Sequence, residues 1–130
     1  MQDTEGSLSG KIVTVVNLRI SGDKGMRKIR AIIKRPDEEF GHVTNISDTL
    51  ENLQKTVGGY IEAVTFDNFV ILCNENGKLQ GLPFNMRIGA VDCLVGTIIV
   101  LGIDGENFSD CPLDFKVWKR LVDRWQNAEL

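Results

Sequence analysis

The order of apolar and polar positions divides the chain into strands and two helices. Lys11–Ile20 (KIVTVVNLRI) is dense in Val and Ile, which predicts a strand because β-branched side chains suit a pleated surface. Ser21–Gly25 predicts a turn or linker. The run RKIRAIIKR sets Ile29, Ala31 and Ile33 against Lys28, Arg30 and Lys34, a second strand. Ile32 interrupts that alternation, so both faces are expected to be partly buried. Pro36 ends the strand, since proline has no N–H to donate. Met26 after Gly25 marks the expected start of a single core domain, 26–130. Residues 1–25 are then an N-terminal extension, an added edge strand.

Asp37–Asn45 reads as a polar loop. Ser47 or Asp48 is expected to cap a helix, because Asp48 and Glu51 have capping-box spacing. Leu50, Leu53 and Val57 make its apolar face, and Gly58 is placed to end it. Tyr60–Phe66 and Asn68–Asn74 predict strands. Asn76-Gly77 is a hairpin signal that predicts Lys78–Leu82 as the returning strand. Val91–Leu101 contains a further strand, placed at Thr97–Leu101. A last helix follows Pro112 with Asp114 as cap, and Phe115, Trp118, Leu121, Val122 and Trp125 line one side. The expected class is α+β: a mainly antiparallel sheet of about five to six strands with two helices packed on it.

Composition narrows the function classes. The 130 residues, 42% hydrophobic and 25% charged, suit one soluble globular domain and exclude a disordered or collagen-like chain. Fifteen Lys+Arg against 18 Asp+Glu give net −3, which disfavours a large non-specific nucleic-acid interface. The first ten residues are polar and acidic, without the basic and apolar regions of a signal peptide. The longest apolar stretch, Val91–Leu101, falls well short of the roughly 20 residues that span a bilayer. Three cysteines suit a reducing cytoplasm better than a disulfide framework. Charge is unevenly spread. Residues 26–36 carry Arg27, Lys28, Arg30, Lys34 and Arg35 without an acid, while 37–85 carry 8 acids against 2 bases. The basic strand is either a docking surface or, the preferred reading, an internally paired sheet edge.

Catalytic and metal chemistry find little support. His42 is the lone histidine, and no local signature joins it to Cys73, Cys93 or Cys111. Cys73 and Cys93 read as small core residues, and Cys111 as a free thiol in a loop. No paired Cys-x-x-Cys or His pair offers a zinc site, and the acids at Asp104, Glu106 and Asp110 lack calcium-loop spacing. Gly58-Gly59 follows a helix, so it reads as a C-cap and not as a phosphate cradle. The aromatic residues are not interleaved with bases, which argues against a stacking platform. The polar set Gln54, Glu62, Asn74, Glu75, Lys78, Asn85 and Arg87 stands out, because Glu62 lies in an otherwise apolar strand. These residues either converge as a pocket for a small polar ligand or serve as sheet-edge hydrogen bonds and a surface ion pair.

The run Leu53–Glu62 (LQKTVGGYIE) resembles the L-Q-x-x-V-G-G-x-I-E signature of a small family, Domain of Unknown Function 3846. Cys73–Lys78 (CNENGK), Leu82–Arg87 (LPFNMR), Gly96–Gly102 and Ile29–Pro36 are similar to further motifs of that family, and the resemblance spans about Met26–Trp125. Asp37 departs from the glycine often found there. The resemblance implies an accessory protein of a phage, plasmid or other mobile element, in a setting of counter-defence functions, with no known catalytic residues or cofactor. The leading expectation is a non-enzymatic cytoplasmic protein that binds a host protein or a small polar or nucleotide ligand. Gln54, Glu62, Asn74, Glu75, Asn85 and Arg87 would line the site. One alternative is a small enzyme using Glu62 or Glu75 as base with Arg87 as charge stabiliser. Another is an acidic DNA-mimic inhibitor, drawn from the acidic middle segment. No direct nucleic-acid or membrane contact is expected, and an exposed edge at Lys11–Ile20 allows a homodimer by strand pairing.

Overall fold

The computed structural model describes residues 11–14, 27–90 and 92–128. The strands are β1 (Lys11–Thr14), β2 (Lys28–Lys34), β3 (His42–Ser47), β4 (Ile61–Thr65), β5 (Val70–Asn74), β6 (Phe84–Arg87), β7 (Cys93–Val95), β8 (Ile98–Asp104) and β9 (Asn107–Ser109). The helices are α1 (Leu50–Val57) and α2 (Phe115–Gln126). The main sheet runs β1-β4-β5-β8-β2-β3, with β9 paired to the far end of β8, and every pair is antiparallel. A separate two-stranded ribbon joins β6 to β7. The class is α+β.

The two faces of the sheet bury different partners. Ile29, Ala31, Ile33, Ala63, Leu72 and Ile99 pack on one face against Leu53 and Val57 of α1. Ile32, Val64, Ile71, Cys73 and Val100 pack on the other against the ribbon and α2. The apolar Ile29–Ile33 run is thereby explained, because β2 and β8 are covered on both sides. Trp118, Val122 and Trp125 are the buried stripe of α2, with Phe115 and Leu121 half-buried beside it. Asp114 caps α2 by accepting the Lys116 amide at 2.8 Å.

Several expectations need correction. Asp37–Asn45 is not all loop, because β3 begins at His42 and pairs residue for residue with β2. As an edge strand it is buried on one side only: Ile46 is in the core, while Val43 and Asn45 are exposed. β2, flanked by β8 and β3, is interior and not an edge. Two bases of this segment are nonetheless engaged internally: Arg27, just before the strand, pairs with Asp48 at 3.6 Å, and Arg30 Nη1 donates to the carbonyls of Cys111 and Leu113. Lys34, expected on a polar face, is only 1% exposed. No strand returns after Asn76-Gly77. Both edges of β5 are already taken by β4 and β8, and Glu75–Gly81 forms successive turns instead. Neither Asn76 nor Gly77 has positive φ. Gly77 is there for closeness, since a Cβ would meet Val95 Cγ2 at 2.8 Å. Cys111 is a free thiol outside strand and helix, as read, and is buried. Of the strand expected at Lys11–Ile20, the described part is Lys11–Thr14; Val15–Ile20, the Ser21–Gly25 turn and Val91 lie outside the described residues.

The helix cap also differs. Thr49, not Ser47 or Asp48, is the N-cap of α1, and its Oγ1 accepts the Asn52 amide at 3.2 Å. Thr49→Ala is expected to lower stability by about 1 kcal/mol. Urea unfolding checks this, and an unchanged midpoint would reassign the cap. Gly58 ends α1 as expected, with φ 87° and its amide on the Gln54 carbonyl.

Candidate functional site

A cleft of about 250 Å³ opens between the β4–β5 end of the sheet and the ribbon strand β7. Its polar lining is Glu62, Asn74, Glu75, Lys78 and Asp92. Val64, Leu94 and Val95 supply apolar wall, Cys73 and Cys93 add thiols, and Leu79 stands at the side. Local folding explains the assembly. Ile61 and Ala63 of β4 face α1, so strand alternation turns Glu62 to the ribbon side, opposite Cys73 in register. The turns after β5 then carry Glu75, Lys78 and Leu79 around the end of the sheet. They can lie against β7 because Gly77 and Gly96 leave room for Val95 and Leu82.

Asn74 anchors this corner. Its Oδ1 accepts the Asn76 amide at 2.8 Å, an Asx turn, and its Nδ2 donates to the Val57 carbonyl at 3.3 Å. Gly59 sits so close that a Cβ would lie 3.0 Å from that Nδ2. The two glycines after α1 therefore have separate reasons: left-handed conformation at Gly58, contact with Asn74 at Gly59.

Electrostatically the cleft is acidic. Three carboxylates face one ammonium. Lys78 Nζ donates to Asp92 Oδ1 at 3.0 Å, and this bond raises the lysine pKa. Glu62 and Glu75 make no direct ion pair among the described residues. Burial, and then the nearby Glu75 charge, push the Glu62 pKa up. Burial pushes the Cys73 thiol to about 12, so it is a poor nucleophile at neutral pH.

A raised carboxyl pKa has a definite sign in stability. The folded chain holds the Glu62 proton more tightly than the unfolded chain, so stability falls as pH rises from the ordinary glutamate value through the raised one. Glu62→Gln is therefore expected to stabilise the protein at pH 7, by less than about 1 kcal/mol because the carboxylate is partly solvated. The gain should vanish below the ordinary glutamate range. Thermal unfolding from pH 4 to 8 tests it, and a destabilised variant at pH 7 would contradict this account.

The sequence-predicted set is only partly brought together. Glu62, Asn74 and Glu75, with Lys78, line the cleft. Gln54 lies on α1, across the sheet, where its carbonyl accepts the Gly58 and Gly59 amides. Asn85 is buried beside Lys34: its Oδ1 accepts the ammonium at 2.7 Å, and its Nδ2 donates to the carbonyls of Lys34 and Gly96. Arg87 lies outside the cleft lining; its amide donates to Gln126 Oε1 and its Nη2 to the Ala90 carbonyl at 3.4 Å. The pairing of Glu62 with Arg87 as base and charge stabiliser is thus not assembled. Asp92 was missed by sequence reasoning, and Cys93, read as a small core residue, is only half-buried and lines the cleft. Asp92 followed by Cys93 has no motif, and only the Lys78 contact reveals it.

Among the described residues there is no group of three or more His, Cys, Asp or Glu placed to hold a metal ion, and no helix is long and apolar enough to cross a membrane. No curated protein and no solved structure matches the chain. A family model, described as Domain of unknown function (DUF3846), matches residues 29–126. That span takes in both helices, the cleft and every strand from β3 on, so the chain belongs to the DUF3846 family.

Proposed function

We propose that the protein is a non-enzymatic accessory binding protein of a phage or other mobile element, and that it holds a small polar ligand between β4–β5 and β7. The observation that carries this reading is the cleft itself, where apolar walls surround Glu62, Glu75 and Asp92. The mobile-element setting and a counter-defence role are what the resemblance carried by the motifs at Leu53–Glu62 and Cys73–Lys78 implies. A cytoplasmic location is supported by three free thiols, Cys73, Cys93 and Cys111. The carboxylate excess argues against a nucleotide, whose phosphates would be repelled.

Docking on a host protein is the second reading. Tyr60 and Leu79 are 68% and 89% exposed; Leu79 lines the cleft, and the Tyr60 backbone carbonyl accepts the amide of the cleft residue Glu75 at 2.8 Å. Native mass spectrometry of protein purified gently from its own host separates the two. A retained small molecule, lost in the Glu62→Gln/Glu75→Gln double variant, supports the ligand reading. A co-purifying protein released by Leu79→Ser supports docking. Neither species, together with an empty fragment screen of the cleft, overturns both.

A further inference from the structure

We propose that the cleft takes a small aliphatic cation, a primary amine or guanidine on a short hydrocarbon stem. This rests on the reading of the cleft as a ligand site and names the ligand's chemistry. The cleft already receives one ammonium, since Lys78 Nζ lies 3.0 Å from Asp92 Oδ1. That pair sits at the mouth, with Lys78 60% exposed. It satisfies one carboxylate of three. Glu62 and Glu75 make no ion pair among the described residues; the Lys78 charge acts on Glu62 but is outweighed by burial and the Glu75 charge, and Glu62 is half-buried beside Cys73.

The geometry selects among ligand classes. Two carboxylates that share the cleft without an ion pair repel one another, and a cation beside them converts repulsion into attraction. A neutral ligand leaves the repulsion in place, and an anion adds to it. Val64, Leu94 and Val95 form a wall that suits methylene groups and offers a hydroxyl-rich ligand nothing. The volume, about 250 Å³, is below the range of drug-sized pockets, so a stem of a few carbons is the right scale. Lys78 then acts as a competitor built into the chain, because its ammonium occupies Asp92 whenever the ligand is absent.

The test is an NMR titration of the full-length ¹⁵N-labelled protein with n-butylguanidine and n-butylamine, beside n-pentanol and AMP. Saturable shifts of the Glu75, Leu79 and Cys93 amides are expected with the two cations, weakening as salt is added. Glu62→Gln should weaken binding about tenfold while remaining folded, and Lys78→Met should tighten it about threefold by freeing Asp92. Shifts of these amides with pentanol or AMP but not the cations would overturn the cation assignment and leave the cleft reading standing. No shift with any probe would overturn both. Cation binding indifferent to Glu62→Gln would place the cation elsewhere and also overturn the proposal.

Discussion

Trp118→Ala is expected to lower stability by about 3–5 kcal/mol, the range for truncating a buried tryptophan. Trp118 is wholly buried between α2 and the sheet and meets Trp125 edge-on at 6.4 Å. Its Nε1 also donates to the Phe40 carbonyl at 2.8 Å, which ties the β2–β3 connection to the helix. Alanine removes the ring, leaves a cavity, and strands that carbonyl. For a domain whose whole stability is about 5–15 kcal/mol, a substantial unfolded population follows. Trp118→Phe keeps most of the apolar area and forfeits the N–H, so it should cost roughly 1–2 kcal/mol plus a smaller packing loss. Urea unfolding followed by far-UV circular dichroism ranks the two. An alanine variant within about 1 kcal/mol of the parent would refute this packing of α2.

Asn85→Ala is expected to be nearly as damaging, at about 3–4 kcal/mol, although asparagine contributes little apolar burial. The loss is of partners. Lys34 Nζ would forfeit its 2.7 Å acceptor and keep only the 3.2 Å contact with the Asn85 carbonyl. The carbonyls of Lys34 and Gly96 would each lose a donor at 2.8 and 2.7 Å. Lys34→Met should cost much less, because it removes the charge along with the need to solvate it. Burial already holds the Lys34 pKa below the usual lysine value, against the opposing pull of Glu38, Asp37 and Glu39. The folded chain thus releases this proton more readily than the unfolded one, and stability rises with pH between the lowered value and the ordinary one. The Asn85→Ala deficit should therefore narrow in alkaline solution. A deficit independent of pH would show that Lys34 is not what Asn85 serves.

Asn85 also illustrates why the candidate site was only half legible. Polar residues flanking a Gly-rich step invite a pocket reading, and Glu62 in an apolar strand was a sound signal, because a half-buried carboxylate there needs an explanation. Asn85 carries the same polarity for a different reason. The β6–β7 register shifts between Phe84 and Met86, so the bulge at Asn85 turns consecutive side chains inward. No one-dimensional pattern announces a bulge. Lys34 was misplaced by the same blindness, since its polar position in the alternation lies under the ribbon instead of under water. The Asn76-Gly77 hairpin failed because turn chemistry is local, whereas the vacancy of a strand edge depends on what else has paired with it.

The sequence by itself determined what depends on short range. Periodicity placed both helices, the apolar run of β2, and the strands at Ile61–Thr65 and Val70–Asn74. Gly58 and Asp114 marked a helix end and a helix start through conformations and hydrogen bonds that need only neighbouring residues. The motifs at Leu53–Glu62 and Cys73–Lys78 carried the family, which the match over residues 29–126 bears out. Tertiary structure alone decided the rest. The insertion of β8 between β5 and β2 joins segments far apart in the chain, and that crossover denies the hairpin its edge. It also decided that Glu62, Glu75, Lys78 and Asp92 share one cleft while Gln54 and Arg87 do not. Side-chain charge is written in the sequence; the distance between charges is set by which strands find each other, and electrostatic energy depends on that distance.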